Sequence, residues 1–432
     1  MKPRADASLP HIVVVGAGFA GLRFIQNMPE SLARITVIDR QNHHLFQPLL
    51  YQVATAGLSA VDIAQPVRGI FSDRPNFAVI MAEVTEIDLT KKWLKHDRGE
   101  ITFDYLILAA GGVTSYFGHP EWEQFAPGLK SLDDALRIRR LILSSLERAE
   151  METDPEKRDA AMTIVVVGGG PTGVELAGAF AELTRTVLHK DFDVIDPKKA
   201  RVILIEGSDH ILSPFPPELR ESALRQLQAL GVEVKLSRRV ESIREGELVA
   251  SGETIRADNI IWGAGVGGAP IAKKLNVELD RGGRIKVLPD CSVPGYPEVY
   301  ALGDMVSLVD ANGVLVPGVA QGAMQMGVHA AKLVEAEING EKFAPVGRKA
   351  FAYHDKGSMA TIGRSSAVAL INGMKLSGFP AWMAWLVVHL LFLVGFRNRL
   401  SVLMSWMYSY FTYKRGARII TGVSGEKSAG SA

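Results

Sequence analysis

The chain contains one motif twice: an apolar strand that runs directly into a glycine-rich loop, with a helical stretch behind it. The first copy is HIVVVGAGFAG at residues 11–21, and the second is TIVVVGGGPTG at residues 163–173. Continuous β-branched strands of this kind are typical of a parallel sheet that is buried on both faces. Because the motif recurs after a long interval, the sequence predicts an α/β fold with two βαβ nucleotide-binding units.

The residues around each loop indicate dinucleotide binding. Glycines allow backbone N–H groups to approach a pyrophosphate at the helix N-terminus. An acidic residue follows each loop, Asp39 in the first unit and Glu206 in the second, where a carboxylate would accept both hydroxyls of a ribose. Glu206 would also repel a 2′-phosphate, which favours NADH over NADPH. The sequence separation between Glu206 and its glycine loop is longer than usual, and this extra length fits an insertion around residues 189–199. A packing turn is the alternative for either loop. The loop residues expected to bind are Gly16, Gly18 and Gly21, then Gly168, Gly170, Pro171, Thr172 and Gly173.

A third strand, VYALGD at residues 299–304, resembles the second FAD fingerprint of flavoproteins with two dinucleotide-binding domains. In that fingerprint the aspartate, here Asp304, holds the ribityl-phosphate part of FAD; a plain helix N-cap is the alternative. Because this motif follows both loops, the chain returns to the first domain after building the second. We therefore expect two Rossmann-like domains, with the NADH domain inserted in the FAD domain, plus a C-terminal membrane-anchoring helical region. The expected ranges are 1–118 and 271–340 for FAD, 119–270 for NADH, and 341–432 for a C-terminal region with short strands and amphipathic helices at about 379–415.

The C-terminal region begins its helical part with an uncharged apolar run at residues 379–396, followed by LSVLMSWMYSYFTY at 400–413. On a helix, the second segment separates an apolar face from a serine face. Aromatic residues and basic flanks are typical of a helix that lies at a lipid interface. The sequence therefore predicts a monotopic anchor, with a transmembrane hairpin or a buried core as alternatives. The apolar face comprises Leu400, Leu403, Met404, Met407 and Phe411, the serine face Ser401, Ser405 and Ser409, and the basic flanks Arg397, Arg399, Lys414 and Arg415.

Composition excludes several classes of protein. The chain has 48 Lys and Arg against 47 Asp and Glu, and a net charge of +1 gives no basis for nucleic-acid binding. Cys291 is the single cysteine, which excludes intrachain disulfides, CxxC redox pairs and multi-cysteine metal sites. No metal site is expected.

Five stretches together give a narrower resemblance: HHLFQPLLYQVATAGLS, GGGPTGVELAGAFAEL, AQGAMQMG, KGSMATIGR and GFRNR. In order and spacing, the chain resembles the type II NADH:quinone oxidoreductases, which are single-subunit and do not pump protons. The resemblance implies non-covalent FAD, hydride transfer from NADH to flavin N5, and two-electron reduction of a membrane quinone to quinol. It also implies a peripheral protein on the cytoplasmic face of the inner (cell) membrane, and a possible homodimer.

The same resemblance suggests catalytic residues. Gln321 and Gln325 match paired glutamines beside the flavin, where quinone is reduced. Glu175 matches a glutamate between nicotinamide and flavin, and Lys356 a lysine near the isoalloxazine. The plainer alternatives are surface glutamines, a carboxylate that stabilises a helix N-terminus, and a solvated turn lysine. The expected cofactor-binding set also includes Arg40, Gln47, Thr55, Val84, Ala110, Gly265 and Gly303.

Other functions share part of this pattern. Sulfide:quinone oxidoreductases and disulfide reductases need paired cysteines. A soluble NADH-dependent ferredoxin or rubredoxin reductase would need both nucleotide sites but no apolar C-terminal run. A non-enzymatic NADH-responsive flavoprotein resembling apoptosis-inducing factor is the third alternative. Quinone-dependent oxidation of NADH separates these possibilities.

Overall fold

The computed structural model describes residues 7–188, 191–341, 347–412 and 417–420. These residues belong to two compact units: Met1–Leu45, Ala64–Val113 and Val266–Lys356 in the first, and Phe46–Ile63, Thr114–Gly265 and Gly357–Ala432 in the second. The α-helices, in chain order, are α1 Phe19–Asn27, α2 Leu50–Ala54, α3 Ala60–Ile63, α4 Val67–Ile70, α5 Leu132–Met151, α6 Pro155–Ala161, α7 Pro171–Glu182, α8 Pro217–Ala229, α9 Ala320–Ile338, α10 Phe379–Phe392 and α11 Phe396–Thr412.

A six-stranded sheet forms the core of the first unit, with five parallel strands and an antiparallel one at the edge. In spatial order its strands are Ser292–Val293, Tyr296–Ala301, Tyr105–Leu108, His11–Val15, Arg34–Asp39 and Phe77–Met81. Helices α1 and α9 pack closely, because a Cβ at Gly327 of α9 would lie 2.4 Å from the Ala20 carbonyl oxygen. The smaller strands are His43–Leu45 with Ala64–Pro66, Val84–Asp88 with Trp93–His96 and Gly99–Thr102, and Ile285–Lys286 with Val306–Ser307.

The second unit repeats the parallel arrangement with four strands: Val232–Lys235, Arg201–Ile205, Thr163–Val167 and Asn259–Trp262. Two antiparallel sheets accompany it. One contains Val240–Arg244, Glu247–Ala250 and Glu253–Arg256; the other, called here the C-terminal sheet, contains Ser358–Gly363, Ser366–Ile371 and Met374–Ser377. Short strands Gly112–Thr114 and Val266–Gly268 lie next to the points where the chain passes between units.

Local sequence chemistry explains where helices α5 and α6 begin. Helix α5 begins after Ser131, whose hydroxyl accepts from the Asp134 N–H while the Asp134 carboxylate accepts from the Ser131 N–H. The charged stretch at residues 151–160 has the composition of a solvated linker, but it forms most of α6. Asp154 caps that helix and Pro155 opens it, so end-capping outweighs the polar composition.

The apolar run at residues 379–396 does not form one continuous helix. Helix α10 ends at Phe392, Gly395 adopts φ +88°, and α11 begins at Phe396. The inner side of α10 packs on the C-terminal sheet through Ala381, which clusters with Ala367 and Ala369. Within the described ranges, no helix is both long and apolar enough to cross a bilayer.

Candidate functional site

The first glycine loop has the geometry that a pyrophosphate needs. Gly16 has φ +104°, and a Cβ at Gly21 would lie 2.1 Å from the Gly16 carbonyl oxygen, so both positions require glycine. Gly18 lies at the N-terminus of α1 with open space around the Cβ position. The Asp39 carboxylate accepts from the Ala17 N–H at 2.7 Å, which ties the loop to the strand end. These residues fit the phosphate and ribose of a dinucleotide.

The second loop reproduces this arrangement in the other unit. Gly168 has φ +108°, and a Cβ at Gly173 would lie 1.8 Å from the Gly168 carbonyl oxygen. Gly170 caps α7 with open space around it. The Glu206 carboxylate accepts from the Gly169 N–H at 2.5 Å, as Asp39 does from the equivalent N–H of the first loop. Pro171 and Thr172 form the first turn of α7. The internal repeat therefore extends to the side-chain hydrogen bonds.

Five other predicted cofactor residues lie in the first unit. Arg40 pairs with Glu83 at 3.9 Å on the surface, and Val84 begins a strand. Ala110 follows the strand Tyr105–Leu108. Gly303 has φ +75°, and its N–H donates to the Met326 sulfur at 3.2 Å, which fixes the turn that carries Asp304.

Besides the second loop and Glu206, three further predicted cofactor residues lie in the second unit. Gln47 donates to the Lys130 carbonyl at 3.4 Å. Thr55 is buried and donates its hydroxyl to the Tyr51 carbonyl. Gly265 has φ +75°, a conformation that disfavours other residues.

The two predicted catalytic glutamines lie on one side of α9 and hold a neighbouring segment. Gln325 donates from Nε2 to the His354 carbonyl and accepts at Oε1 from the His354 N–H, both at 2.9 Å. Gln321 accepts at Oε1 from the Lys356 N–H at 3.2 Å. The structure therefore brings three of the predicted residues together within the first unit. Sequence reasoning missed this clamp, because helical spacing shows which residues share a face but not what they bind.

A cavity of about 110 Å³ opens in the second unit. It is bounded by α2, α7, the C-terminal sheet, α10 and α11, and predicted residues Thr55 and Glu175 line it. Aromatic rings dominate the side formed by α10 and α11. These residues are Trp382, Trp385, Trp406 and Tyr410. A flat apolar ligand fits such a lining.

Glu175 has an altered acidity in this cavity. Burial raises the pKa of its carboxyl to about 8, although a hydrogen bond from the Thr361 N–H acts in the opposite direction. Glu175 is therefore protonated at neutral pH and can donate a proton. The C-terminal sheet lies against α7 because Gly178 has no side chain: a Cβ there would lie 1.7 Å from the Ile362 carbonyl oxygen. A glycine inside a helix is the signal that could have indicated this close approach.

Polar groups connect α2 with α11 across the cavity wall. The Trp406 indole N–H donates to Gln52 Oε1 at 2.8 Å, and Gln52 Nε2 donates to the Tyr51 hydroxyl at 2.8 Å. The Trp385 and Trp406 rings pack with centroids 5.6 Å apart. These wall residues were not predicted, because no sequence spacing relates α2 to residues more than three hundred positions later.

Comparison with known proteins agrees with this geometry. A family model of pyridine nucleotide-disulphide oxidoreductases matches residues 10–327, and one of the NDH2 C-terminal domain matches residues 355–414. Type II NADH:quinone oxidoreductase Ndh of Mycobacterium tuberculosis is 43% identical over 435 residues, which is 97% of this chain and 92% of that protein. The chain belongs to the type II NADH:quinone oxidoreductases. NdhA of the same organism is 40% identical over 97% of this chain and 91% of its own.

One solved structure shows the same fold. NDH2 from Plasmodium falciparum in complex with NADH has a TM-score of 0.86 at 19% identity, over 96% of this chain and 100% of that one. The α/β fold, FAD as cofactor, NADH as substrate and quinone as acceptor are confirmed for this type II NADH:quinone oxidoreductase. The predicted sulfide:quinone, ferredoxin-type and sensor alternatives are set aside.

Proposed function

We propose that this type II NADH:quinone oxidoreductase works while docked on a lipid surface through α10 and α11, and that quinone enters from the lipid into the cavity beside Glu175. The single observation that carries the proposal is the direction in which α11 turns its apolar face. Phe396, Met404 and Phe411 are 81%, 57% and 75% exposed, whereas Asn398 and Val402 on the same helix are buried. A large exposed apolar patch usually marks a protein or membrane interface.

Helix α10 contributes to the same kind of surface. Met383, Val387 and Leu391 follow at helical spacing and are 41%, 51% and 62% exposed. Trp385 on the opposite side is buried and lines the cavity. Helices that expose one apolar face and line a cavity with the other fit an entry point for a lipid-soluble substrate.

Charge supports docking on the cytoplasmic leaflet. Between Phe396 and Ile420 the chain has five basic residues and no acidic one. Anionic lipids of the cytoplasmic leaflet attract such segments. Of the predicted basic flanks, Arg397 and Arg399 lie on α11, while Lys414 and Arg415 lie outside the described residues.

We further propose how the chain serves the reaction. The first loop with Asp39 and Asp304 holds FAD, and the second loop with Glu206 holds NADH, in the predicted domains. The chemistry that bound FAD supplies is hydride acceptance from NADH and two-electron delivery to quinone. Glu175, protonated at neutral pH, is placed to give a proton to a quinone oxygen.

The α9 clamp gives the remaining predicted residues a shared role. Because a carboxamide nitrogen carries two hydrogens, Gln325 can hold the His354 carbonyl with one and offer the other to a quinone carbonyl. Gln321 fixes the backbone that carries Lys356. The ammonium of Lys356 would then stabilise negative charge that develops on the reacting ring system.

Liposome flotation tests the docking. Met407→Glu places a charge on the outer face of α11 and should abolish flotation with anionic liposomes while leaving NADH-dependent flavin bleaching intact. Met151→Glu is the matched control, since Met151 is 83% exposed at the end of α5. Wild-type levels of flotation for Met407→Glu would contradict docking through α11.

A further inference from the structure

Arg364 fastens the last turn of α11 to the C-terminal sheet. Its two terminal nitrogens donate to consecutive backbone carbonyls, Nη1 to Tyr410 at 2.7 Å and Nη2 to Ser409 at 2.6 Å. Its guanidinium carbon lies 5.2 Å from the centroid of the Tyr410 ring. Backbone carbonyls in the last turn of a helix have no partner within the helix, and a cation there also interacts favourably with the helix dipole.

The backbone of Arg364 is fixed in turn. Its N–H donates to the Glu182 carboxylate at the end of α7. The Tyr410 ring also has a partner on α10, because the Trp382 ring stacks with it at a centroid distance of 5.5 Å. Arg364 therefore connects α7, the C-terminal sheet and α11 through its main chain and its side chain.

The turn that Arg364 holds is part of the cavity wall. Trp406, Ser409 and Tyr410 are the α11 residues that line the cavity, and Glu175, Thr361 and Arg364 itself line it from other elements. The outer face of the same turn is apolar and exposed, with Phe411 at 75%. The last turn of α11 is therefore held by its contacts with the protein interior. Two of these contacts are the charge-assisted hydrogen bonds from Arg364.

We propose that Arg364 is a positioning residue for quinone reduction: it keeps the end of α11 in place as the outer wall of the cavity. This inference rests on the proposed entry of quinone through that cavity. It goes beyond the predicted glutamine, glutamate and lysine roles: Arg364 itself lines the cavity, and its guanidinium holds Ser409 and Tyr410 of the opposite wall in place. The two half-reactions should respond differently, because Arg364 and α11 are assigned to the path of quinone and not to the glycine loop that holds NADH.

The test uses the full-length holoenzyme on liposomes that contain a long-chain quinone. Arg364→Gln should raise the quinone KM by about tenfold, because the charged hydrogen bonds are lost. The rate of flavin reduction by NADH, measured by stopped flow without quinone, should stay as in wild type. Arg364→Lys should fall between the two, because an ammonium lacks the fork that reaches both carbonyls. Arg225→Gln is the matched control, because Arg225 is an exposed arginine of α8 that forms an ion pair with Glu221 at 3.6 Å and does not line the cavity.

Two outcomes would overturn the inference: an unchanged quinone KM for Arg364→Gln, or equal slowing of both half-reactions. Hydrogen exchange at the amides of residues 409–412 should rise in Arg364→Gln, and unchanged exchange would also contradict the clamp. Ala179→Leu, which reduces the cavity from α7, separates the two proposals. If Ala179→Leu leaves the quinone KM unchanged, the cavity route itself fails; if it raises the KM and Arg364→Gln does not, only the role of Arg364 fails.

Discussion

Two glutamates of the second unit, Glu206 and Glu175, have different environments and therefore different chemical properties. Glu206 ends a strand and accepts from two backbone N–H groups, at Gly169 and at Ser208. Glu175 lies in the cavity, where burial raises its pKa to about 8. We propose that the first accepts hydrogen bonds from a ribose and that the second gives away a proton.

We expect Glu206→Gln to weaken the preference for NADH over NADPH. Loss of the negative charge removes its repulsion of a 2′-phosphate, and the ratio of kcat/KM values should fall by roughly tenfold, or about 1.4 kcal/mol. Asp39→Asn is a matched control, because it makes the equivalent change in the first loop and should alter FAD retention and not nucleotide choice. Unchanged selectivity in Glu206→Gln would contradict the assigned role.

The raised pKa of Glu175 predicts the direction in which quinone-dependent turnover changes with pH. Below about pH 8 the carboxyl is protonated, so quinone-dependent turnover should fall as the pH rises through that value. Glu175→Gln should be slower and should lose this dependence.

The same raised pKa affects the stability of the protein. Because the folded-state pKa of Glu175 is raised, the stability that its carboxyl contributes is complete below the ordinary carboxyl pKa and is lost as the pH rises through about 8. The variant should therefore lose less stability than wild type between about pH 6 and about pH 9, as thermal unfolding would show. A turnover profile identical to wild type would refute the proton-donor role.

At the scale of elements, the contact between α7 and the C-terminal sheet depends on a glycine, which has no side chain to keep the two apart. Gly178 lies one turn after Glu175 and directly beneath the Ile362 carbonyl. This contact sets how far Thr361 and Glu175 are from each other, and hence the depth of the cavity.

Gly178→Ala should move the C-terminal sheet away from α7. We expect a loss of about 1–3 kcal/mol in unfolding free energy from overpacking, together with a raised quinone KM. Gly69→Ala is the control, since Gly69 lies in α4 with nothing within 4 Å of the added Cβ. Denaturant unfolding of both variants checks the prediction, which fails if Gly178→Ala is as stable as wild type.

At the scale of the whole molecule, the C-terminal helices both line the cavity and carry the exposed apolar face. Shortening the chain after about Ser377 should therefore preserve NADH-dependent flavin bleaching but abolish attachment to liposomes and raise the quinone KM. A chain shortened after Ile420 keeps both helices and serves as the control. Flotation and steady-state assays measure the two properties, and a Ser377 truncation that still floats would refute docking through this region.

Much of this architecture follows from the sequence because the determinants are local. Strand His11–Val15, the N-cap at Ser131 and both glycine loops depend on neighbours within a few residues. The family resemblance supplied the enzyme class. The cavity wall was not predictable in the same way, since Gln52 meets Trp406 only in the folded chain. The break at Gly395 was also missed, because hydropathy averages over a run and does not register one backbone conformation.

If α11 docks the enzyme through its outward apolar face, as proposed, docking also determines which quinone concentration governs turnover. A docked enzyme searches for quinone in two dimensions, so turnover follows the mole fraction of quinone in the bilayer and not its amount per volume of suspension. Adding inert lipid at constant total quinone would then slow the docked enzyme, while a water-soluble short-chain quinone would be far less affected. Under the proposed docking, the membrane would be the solvent in which this enzyme meets one of its two substrates.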